Sequence, residues 1–527
     1  MNRRTHTLLI GLTVALAGCG GGGGSNTIST PQPPPVDSTP PTLVSSEPVD
    51  GAGPVSIVTN PTVAFSEALD AATVSGASVS LINANGFRVR GEVRYDGATN
   101  SVIFSSTEPL AEGCLFTMRV DGVTDAAGNA ASPISVTFRT FVAPLAQTVS
   151  YFEGAIVSQT DYENDANGLL RREIRRADAG ADGVWQTGDE TPRSYVQFER
   201  DANGNEISRI GVLDPGSDGQ WFTPDDVIAL YLTFDISANG MREVEWMAGD
   251  DGLLTTPDDV PRDYVDVEYN EFGEIIMNST FRTPGDDGVW FNDDDDLLGA
   301  AVMFDYDDGG RLTLRTEALR GPDNMIGTAD DVVEEYSAVT RNESQSRFEE
   351  VQYVGAGADG SWFTADDDIR SYRLEPFDSQ GRPAGLVRGQ GAGVDGVWLT
   401  ADDEIRLPIN SASYDDSDPA QTIFTTLAYN ALGADNQPLT ADDVISSVRI
   451  ETLLDKSLRS TIEVYNAAGA DGVWQTADDV LASRSVYERD ADLNLLGLRI
   501  FADAGADGVP GTPDDAPGSE QVYEAPR

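Results

Sequence analysis

The residues best equipped for chemistry are the acids of an undecapeptide, GxDGxxxTxDD, that recurs ten times after residue 143. Its first aspartates are Asp182, Asp218, Asp251, Asp287, Asp323, Asp359, Asp395, Asp435, Asp471 and Asp507, separated by 36, 33, 36, 36, 36, 36, 40, 36 and 36 residues. Two further acids close each copy: Asp189 and Glu190, Asp225 and Asp226, Asp258 and Asp259, Asp294 and Asp295, Asp330 and Asp331, then Asp366 and Asp367, Asp402 and Asp403, Asp442 and Asp443, Asp478 and Asp479, Asp514 and Asp515. A threonine precedes them, or Asn292 in the fourth copy. Hard oxygen ligands at offsets 0, +5, +7 and +8 around a tight turn are the materials of a Ca²⁺ site, so Ca²⁺ is the cofactor these loops lead one to expect. The competing expectation is local: Asp and Thr side chains also stabilise turns by accepting hydrogen bonds from nearby backbone N–H groups. Adjacent acids on an extended segment point in opposite directions, which favours the second reading.

The residue after the first Asp is Gly in eight copies and Asn in two, Asn324 and Asn436. These residue types tolerate positive φ, so a left-handed position is expected there. Six tryptophans share one loop position, Trp185, Trp221, Trp290, Trp362, Trp398 and Trp474. Such a row could stack on sugar rings, or each indole could pack on a neighbouring hairpin and lock its loop.

Other chemistry is scarce. The chain has one histidine, His6, and two cysteines, Cys19 and Cys114, which leaves no material for Ser/His/Asp or Cys/His catalysis or for His-ligated zinc. No acid pair differs from the other nine, so no catalytic residue is assigned and the chain reads as a non-enzyme; a polysaccharide-binding or carboxylate-based glycan-hydrolysing surface protein is the alternative. Of 527 residues, 34 are basic and 88 acidic, a formal charge of −54 that excludes nucleic acid as a partner. From residue 143 onward the charge is −50, from 27 basic and 77 acidic residues.

The loops need elements to hold them. Between successive copies lie two β-like segments, for example 227–234 and 241–247, so each repeat is a hairpin plus a loop. Turn glycines Gly168, Gly204, Gly240, Gly273, Gly309 and Gly381 run on the same lattice. The turn Phe198-Glu199-Arg200-Asp201-Ala202-Asn203-Gly204-Asn205 resembles the tyrosine-aspartate (RHS-type) repeats, which implies a spiralling β-sheet. Residues 143–527 are too few to close a large shell on that pattern, so an open twisted or superhelical sheet is expected, with propeller-like closure as the alternative. The fold class is all-β.

Residues 42–142 read as short strands at 62–66, 78–82, 87–95, 101–104, 114–120 and 134–141, a β-sandwich pattern. Ser46-Glu47-Pro48, Phe65-Ser66-Glu67-Ala68-Leu69 and Val123-Thr124-Asp125-Ala126-Ala127-Gly128-Asn129 resemble the SbsA-type bacterial Ig-like domain, which implies a spacer or stalk on a surface protein. Cys114 is expected to be a core thiol. Residues 1–18, with Arg3, Arg4 and an apolar run, read as an export signal. Leu16-Ala17-Gly18-Cys19 resembles the lipobox of bacterial lipoproteins, implying lipidation at Cys19 and, with Gly20 next, outer-membrane sorting. Residues 19–41 form a Gly-, Pro-, Ser- and Thr-rich tether. The expected whole is a lipid-anchored cell-envelope protein whose Ig-like spacer presents a Ca²⁺-binding repeat scaffold for adhesion or envelope structure. Its expected partners are the membrane, through the anchor, and an envelope glycan or another surface protein.

Overall fold

The computed structural model describes residues 37–152, 155–237, 239–292, 294–501 and 517–523. Residues 42–142 form two four-stranded sheets. One runs in the order Leu43–Glu47, Thr62–Phe65, Ser101–Ser106, Gly91–Asp96; the other runs Ala52–Val55, Ile134–Thr140, Leu115–Val120, Val79–Asn83. Alternation turns Val63, Phe65, Val79, Leu81, Val102, Phe104, Phe116, Met118 and Phe138 into one shared core between the sheets. Cys114 packs against that core and is half-buried, and burial pushes its thiol pKa upward. Two strands escaped the sequence reading, Leu43–Glu47 and Ala52–Val55. Both are short and lack an alternating pattern, and the second pairs in parallel with Ile134–Thr140, a partner far along the chain.

The repeat array corrects the expectation of an open sheet. From Leu145–Phe152 onward the strands pair antiparallel, each with the next, and the last, Pro517–Tyr523, pairs back onto Leu145–Phe152. The result is one closed barrel of 22 strands, neither an open twist, nor a superhelix, nor a propeller. Two positions are interrupted: Asp296–Leu297 and Ala301–Tyr306 both pair with Ile275–Thr283, and Glu404–Ile405 and Ile409–Asp415 both pair with Gly385–Gly391.

Closure follows from two features. Register shifts recur along the ladder, for example at Arg175/Arg176, Glu199/Arg200, Glu317/Ala318 and Gln352/Tyr353. An extra residue bends its strand and adds twist, so repeated bulges curve the whole sheet in one direction. Joining the ends also pairs the backbone groups that two free edges would leave open. Twenty-two strands at about 4.8 Å each give a perimeter on the order of 100 Å. The apolar clusters of the barrel, such as Ile174, Tyr195 and Val212, or Val244, Tyr264 and Phe281, join only neighbouring strands, so they stiffen the wall locally and link no opposite walls among the described residues.

Because strands alternate in direction, the nine undecapeptides among the described residues gather at one end of the barrel and the short hairpin turns at the other. The turns are held by Asx geometry: Asp165, Asp201, Asn270, Asp307, Asp378 and Asp490 each accept backbone N–H bonds from residues two and four ahead. Their positive-φ glycines are Gly168, Gly204, Gly273, Gly310 and Gly381. Gly310 replaces the expected Gly309, and Gly240 lies at the start of a strand, Gly240–Met247.

The Ig-like domain meets this turn end. Arg90 forms a two-pronged ion pair with Glu274 at 2.9 and 3.0 Å, donates to the Asp308 carbonyl at 2.6 Å and covers the Phe272 ring at 3.8 Å. Asn85 and Asn205 exchange amide bonds, Arg88 pairs with Glu271, Ser56 donates to the Asp492 carbonyl, and Lys456 donates to Ser106. Four turns and Lys456 are thus bound by one rigid sandwich. The domain braces an arc of the barrel mouth.

Candidate functional site

The acidic loops carry the only densely repeated chemistry, and nine of the ten copies lie within the described residues. Asp507, Asp514 and Asp515 of the tenth, like Cys19, lie outside them.

Each acid of a loop has its own work. The first Asp closes an Asx turn, its Oδ1 accepting the N–H two residues on: Asp182 from Val184, Asp218 from Gln220, Asp251 from Leu253, Asp287 from Val289, Asp323 from Met325, Asp359 from Ser361, Asp395 from Val397, Asp435 from Gln437 and Asp471 from Val473, at 2.6–2.9 Å. The acid at +7 reaches back across the loop. Asp189, Asp225, Asp258, Asp294, Asp330, Asp366, Asp402, Asp442 and Asp478 all accept the backbone N–H of the first Asp. Eight of them also accept the Thr hydroxyl, as Thr364 Oγ1 to Asp366 Oδ1 at 2.9 Å. The Thr hydroxyl and these backbone donors hold carboxylates such as Asp189, Asp225 and Asp478 below the usual aspartate range.

The acid at +8 points the other way, into the sheet. Glu190, Asp295, Asp367, Asp403 and Asp443 are buried, and Asp226, Asp259, Asp331 and Asp479 are half-buried. In most copies the Oδ2 accepts the N–H at +4, at 2.7–2.8 Å from Phe222, Thr255, Phe291, Gly327, Phe363, Leu399 and Gln475. Three also take a phenol 31 residues upstream: Tyr195 to Asp226 at 2.8 Å, Tyr264 to Asp295 at 2.6 Å and Tyr336 to Asp367 at 2.7 Å. Burial and the adjoining carboxylate push Tyr195 up to about 12, and raise Tyr264, Tyr336 and Tyr372 in the same way. For Asp367 burial works upward, but the Tyr336, Thr364 and Phe363 donors outweigh it and the carboxyl stays ionised below its ordinary value.

The backbone explains why these bonds are needed. The residue at +1 has φ of 54° to 71° in all nine copies, as the Gly/Asn exchange leads one to expect. The residue at +4 is also left-handed, which the residue types do not announce: Gln186, Phe222, Thr255, Phe291, Phe363, Leu399, Leu439 and Gln475 carry side chains at φ of 62° to 73°. Non-glycine residues in that region are held under about 1–3 kcal/mol of strain, which persists only where the surroundings fix it. The buried +8 carboxylate supplies that constraint through the +4 N–H. A repeat-phased Tyr 31 residues before the acid was the signal available in the sequence.

The tryptophans belong to the same construction. Trp221, Trp290, Trp362 and Trp398 meet Tyr195, Tyr264, Tyr336 and Tyr372 edge-on, with centroids 6.0–6.2 Å apart. All six, with Trp185 and Trp474, are half-buried. Among the described residues no loop brings a ligand atom from each of three acids within 4.8 Å of one another. Acids at 0 and +7 tie the loop together while the acid at +8 anchors it in the sheet; where they meet, as Asp323, Asp330 and Asp331 do on the Thr328 hydroxyl at 2.8–3.5 Å, each also accepts a backbone N–H of its own loop.

Residues 37–140 match the model of the bacterial Ig-like domain. A curated relative, the S-layer protein of Geobacillus stearothermophilus, is 33% identical over 96 residues, 18% of this chain and 8% of that protein. The chain therefore aligns with less than a tenth of that relative's length. Among solved structures, CopC from Methylosinus trichosporium OB3b is 16% identical, covering 19% of this chain and 93% of its own, with a TM-score of 0.16. Domains 1–6 of the surface layer protein SbsC are 12% identical, covering 93% and 67%, with a TM-score of 0.17.

Proposed function

We propose that this is a non-enzymatic protein of the cell envelope or surface, lipid-anchored at Cys19, in which an Ig-like domain braces a closed β-barrel scaffold serving adhesion or envelope structure. The observation that carries the reading is the Ig-like domain at 37–140, whose curated relative is named an S-layer protein. The barrel supports it: nine loops of one geometry spend their acids on their own backbone, as a repeated scaffold does and a single distinctive catalytic site does not. Its partners in this reading are the membrane, through the anchor, and an envelope glycan or second surface protein.

The anchor is tested by labelling cells with a fatty-acid analogue. Wild-type protein should take up label and fractionate with membranes, and Cys19→Ser should do neither; an unlabelled, soluble wild type would remove the anchor. For Ca²⁺, the bonds each acid accepts from its own loop favour a turn role. Thermal unfolding in millimolar Ca²⁺, in Mg²⁺ and in chelator is expected to coincide, because only binding to the folded state raises the midpoint. A rise specific to Ca²⁺ would establish the loops as ion sites.

A further inference from the structure

One stretch of barrel wall contradicts the charge of the rest. Across the strands Arg347–Gly355, Asp368–Pro376, Gly385–Gly391 and Glu404–Ile405, four residues fall side by side: Glu350 opposite Arg373, Arg373 opposite Arg388, and Arg388 beside Arg406, whose N–H donates to the Arg388 carbonyl at 2.8 Å. Directly opposed residues on neighbouring strands project from the same face, and like charges so placed repel. Arg373 is neutralised by Glu350 at 3.6 Å and by Glu375. Arg388 and Arg406 are exposed, and neither guanidinium makes an ion pair or hydrogen bond among the described residues. Most arginines of this barrel have a carboxylate partner, in a segment where acids outnumber bases 77 to 27. Two unpaired ones set against each other are therefore out of character.

They also line a cavity. A hollow of about 400 Å³ is bounded by Arg388 and Arg406, by Arg315 and Arg373 with their charge offset by Glu317, Glu335 and the lining Glu350, and by amide and hydroxyl groups including Gln352, Ser371 and Gln390. Gln390 is exposed, and Gln352 already bonds Ser371 at 3.0 Å. Guanidinium groups match carboxylate and sulfate geometry by paired donation, and neighbouring amides and hydroxyls suit sugar hydroxyls. The row extends about 15 Å, at about 4.8 Å per strand, longer than one small anion.

We propose that this wall site binds an acidic polysaccharide, with Arg388 and Arg406 holding the carboxylate or sulfate of one sugar unit. The inference rests on the envelope-glycan partner proposed above and names its chemistry. The repelling arginines gain the counter-charge the fold withholds, and the acidic remainder of the barrel limits binding to this patch.

The test is affinity electrophoresis of the full chain, purified in mild detergent, through gels carrying polygalacturonate, dextran sulfate or neutral dextran. One or both acidic polymers should retard the protein and neutral dextran should not. Arg388→Gln/Arg406→Gln should weaken retardation at least tenfold, while Arg282→Gln, at an exposed arginine outside the row, should leave it intact. Retention on polygalacturonate alone assigns a carboxylate, and on dextran sulfate alone a sulfate. No retardation of the wild type, equal retardation of the double variant, or complete displacement by millimolar inorganic phosphate would overturn the proposal. An unchanged melting curve for the double variant confirms that its fold persists, as expected of two side chains that lose no partner. Because the binding is read in detergent, its failure leaves the lipid-anchor reading standing.

Discussion

The carboxylate at +8 is the residue on which each loop turns, and the fourth copy shows what happens when its environment is incomplete. In five copies the Thr hydroxyl lies 3.0–3.5 Å from the Oδ1 of this acid. In the fourth, Asn292 stands in place of Thr, its amide turns to Asp287, and the Oδ1 of fully buried Asp295 has no partner. An unsatisfied buried acceptor carries a penalty of about 1–3 kcal/mol. Asn292→Thr is therefore expected to stabilise the protein by about 1 kcal/mol in denaturant unfolding, and a neutral or destabilising result would mean that the hydroxyl does not reach Asp295. Protonation probes the same bonds. Carboxylates such as Asp189, Asp258, Asp330, Asp402 and Asp478 are held below the ordinary 3.8, so their contribution is complete above about pH 4 and is lost as the pH falls through their folded values. Tyr195, raised to about 12, works at the other end: its contribution is complete below pH 10 and is lost as the pH rises through 12. The melting temperature should drop steeply below pH 4 and again above pH 10, and a flat profile from pH 4 to 3 would show these bonds to be absent.

At the scale of the loop, two glycines in one copy do different jobs. Gly357 lies where an added Cβ would sit 2.2 Å from the Asp366 carbonyl oxygen, whereas at Gly360 a Cβ would meet nothing within 4 Å and only the positive φ of 70° opposes it. Gly357→Ala must displace the backbone of the +7 acid; Gly360→Ala pays about 1 kcal/mol for conformation alone. The former should destabilise by about twice as much or more in equilibrium unfolding, and equal effects would place the constraint in φ alone. The Gly/Asn exchange made Gly360 and its equivalents legible in the sequence. The need for Gly357 was not, because it arises from a chain segment nine residues away that folds back over it. The left-handed +4 position was hidden for the same reason: Phe, Leu, Gln and Thr there announce no turn, and only the buried acid makes the conformation tolerable.

For the whole molecule, closure is the decisive fact, and a cross-link reads it directly. Ser150 and Ser519 are register partners across the closing seam although they stand at opposite ends of the repeat array. Paired Cα atoms on neighbouring antiparallel strands lie about 4.5–5.5 Å apart, within disulfide range. In a Cys114→Ser background, Ser150→Cys/Ser519→Cys should oxidise to a single intramolecular disulfide, seen as a faster-migrating monomer on non-reducing gels. Free thiols under mild oxidant would indicate an open array. The Ig-like domain completes the assembly by fixing separate turns through Arg90, Asn85, Ser56 and Ser106, so its removal should loosen the turn end more than the loop end.

The sequence by itself determined what is local. Residue types at fixed offsets named the loops, their first left-handed residue, the hairpins between them and the sandwich at 42–142, because turns, alternation and φ preference depend on a few adjacent residues. Only the tertiary structure decided what depends on accumulation or distant encounter. Curvature adds a small bend at each bulge, and whether the last strand reaches the first is a property of the total, carried by no single repeat. The partners of the acids are distant in the same sense: Tyr336 reaches Asp367 only after the intervening hairpin has folded, and Arg388 comes to face Arg406 only once their strands have paired.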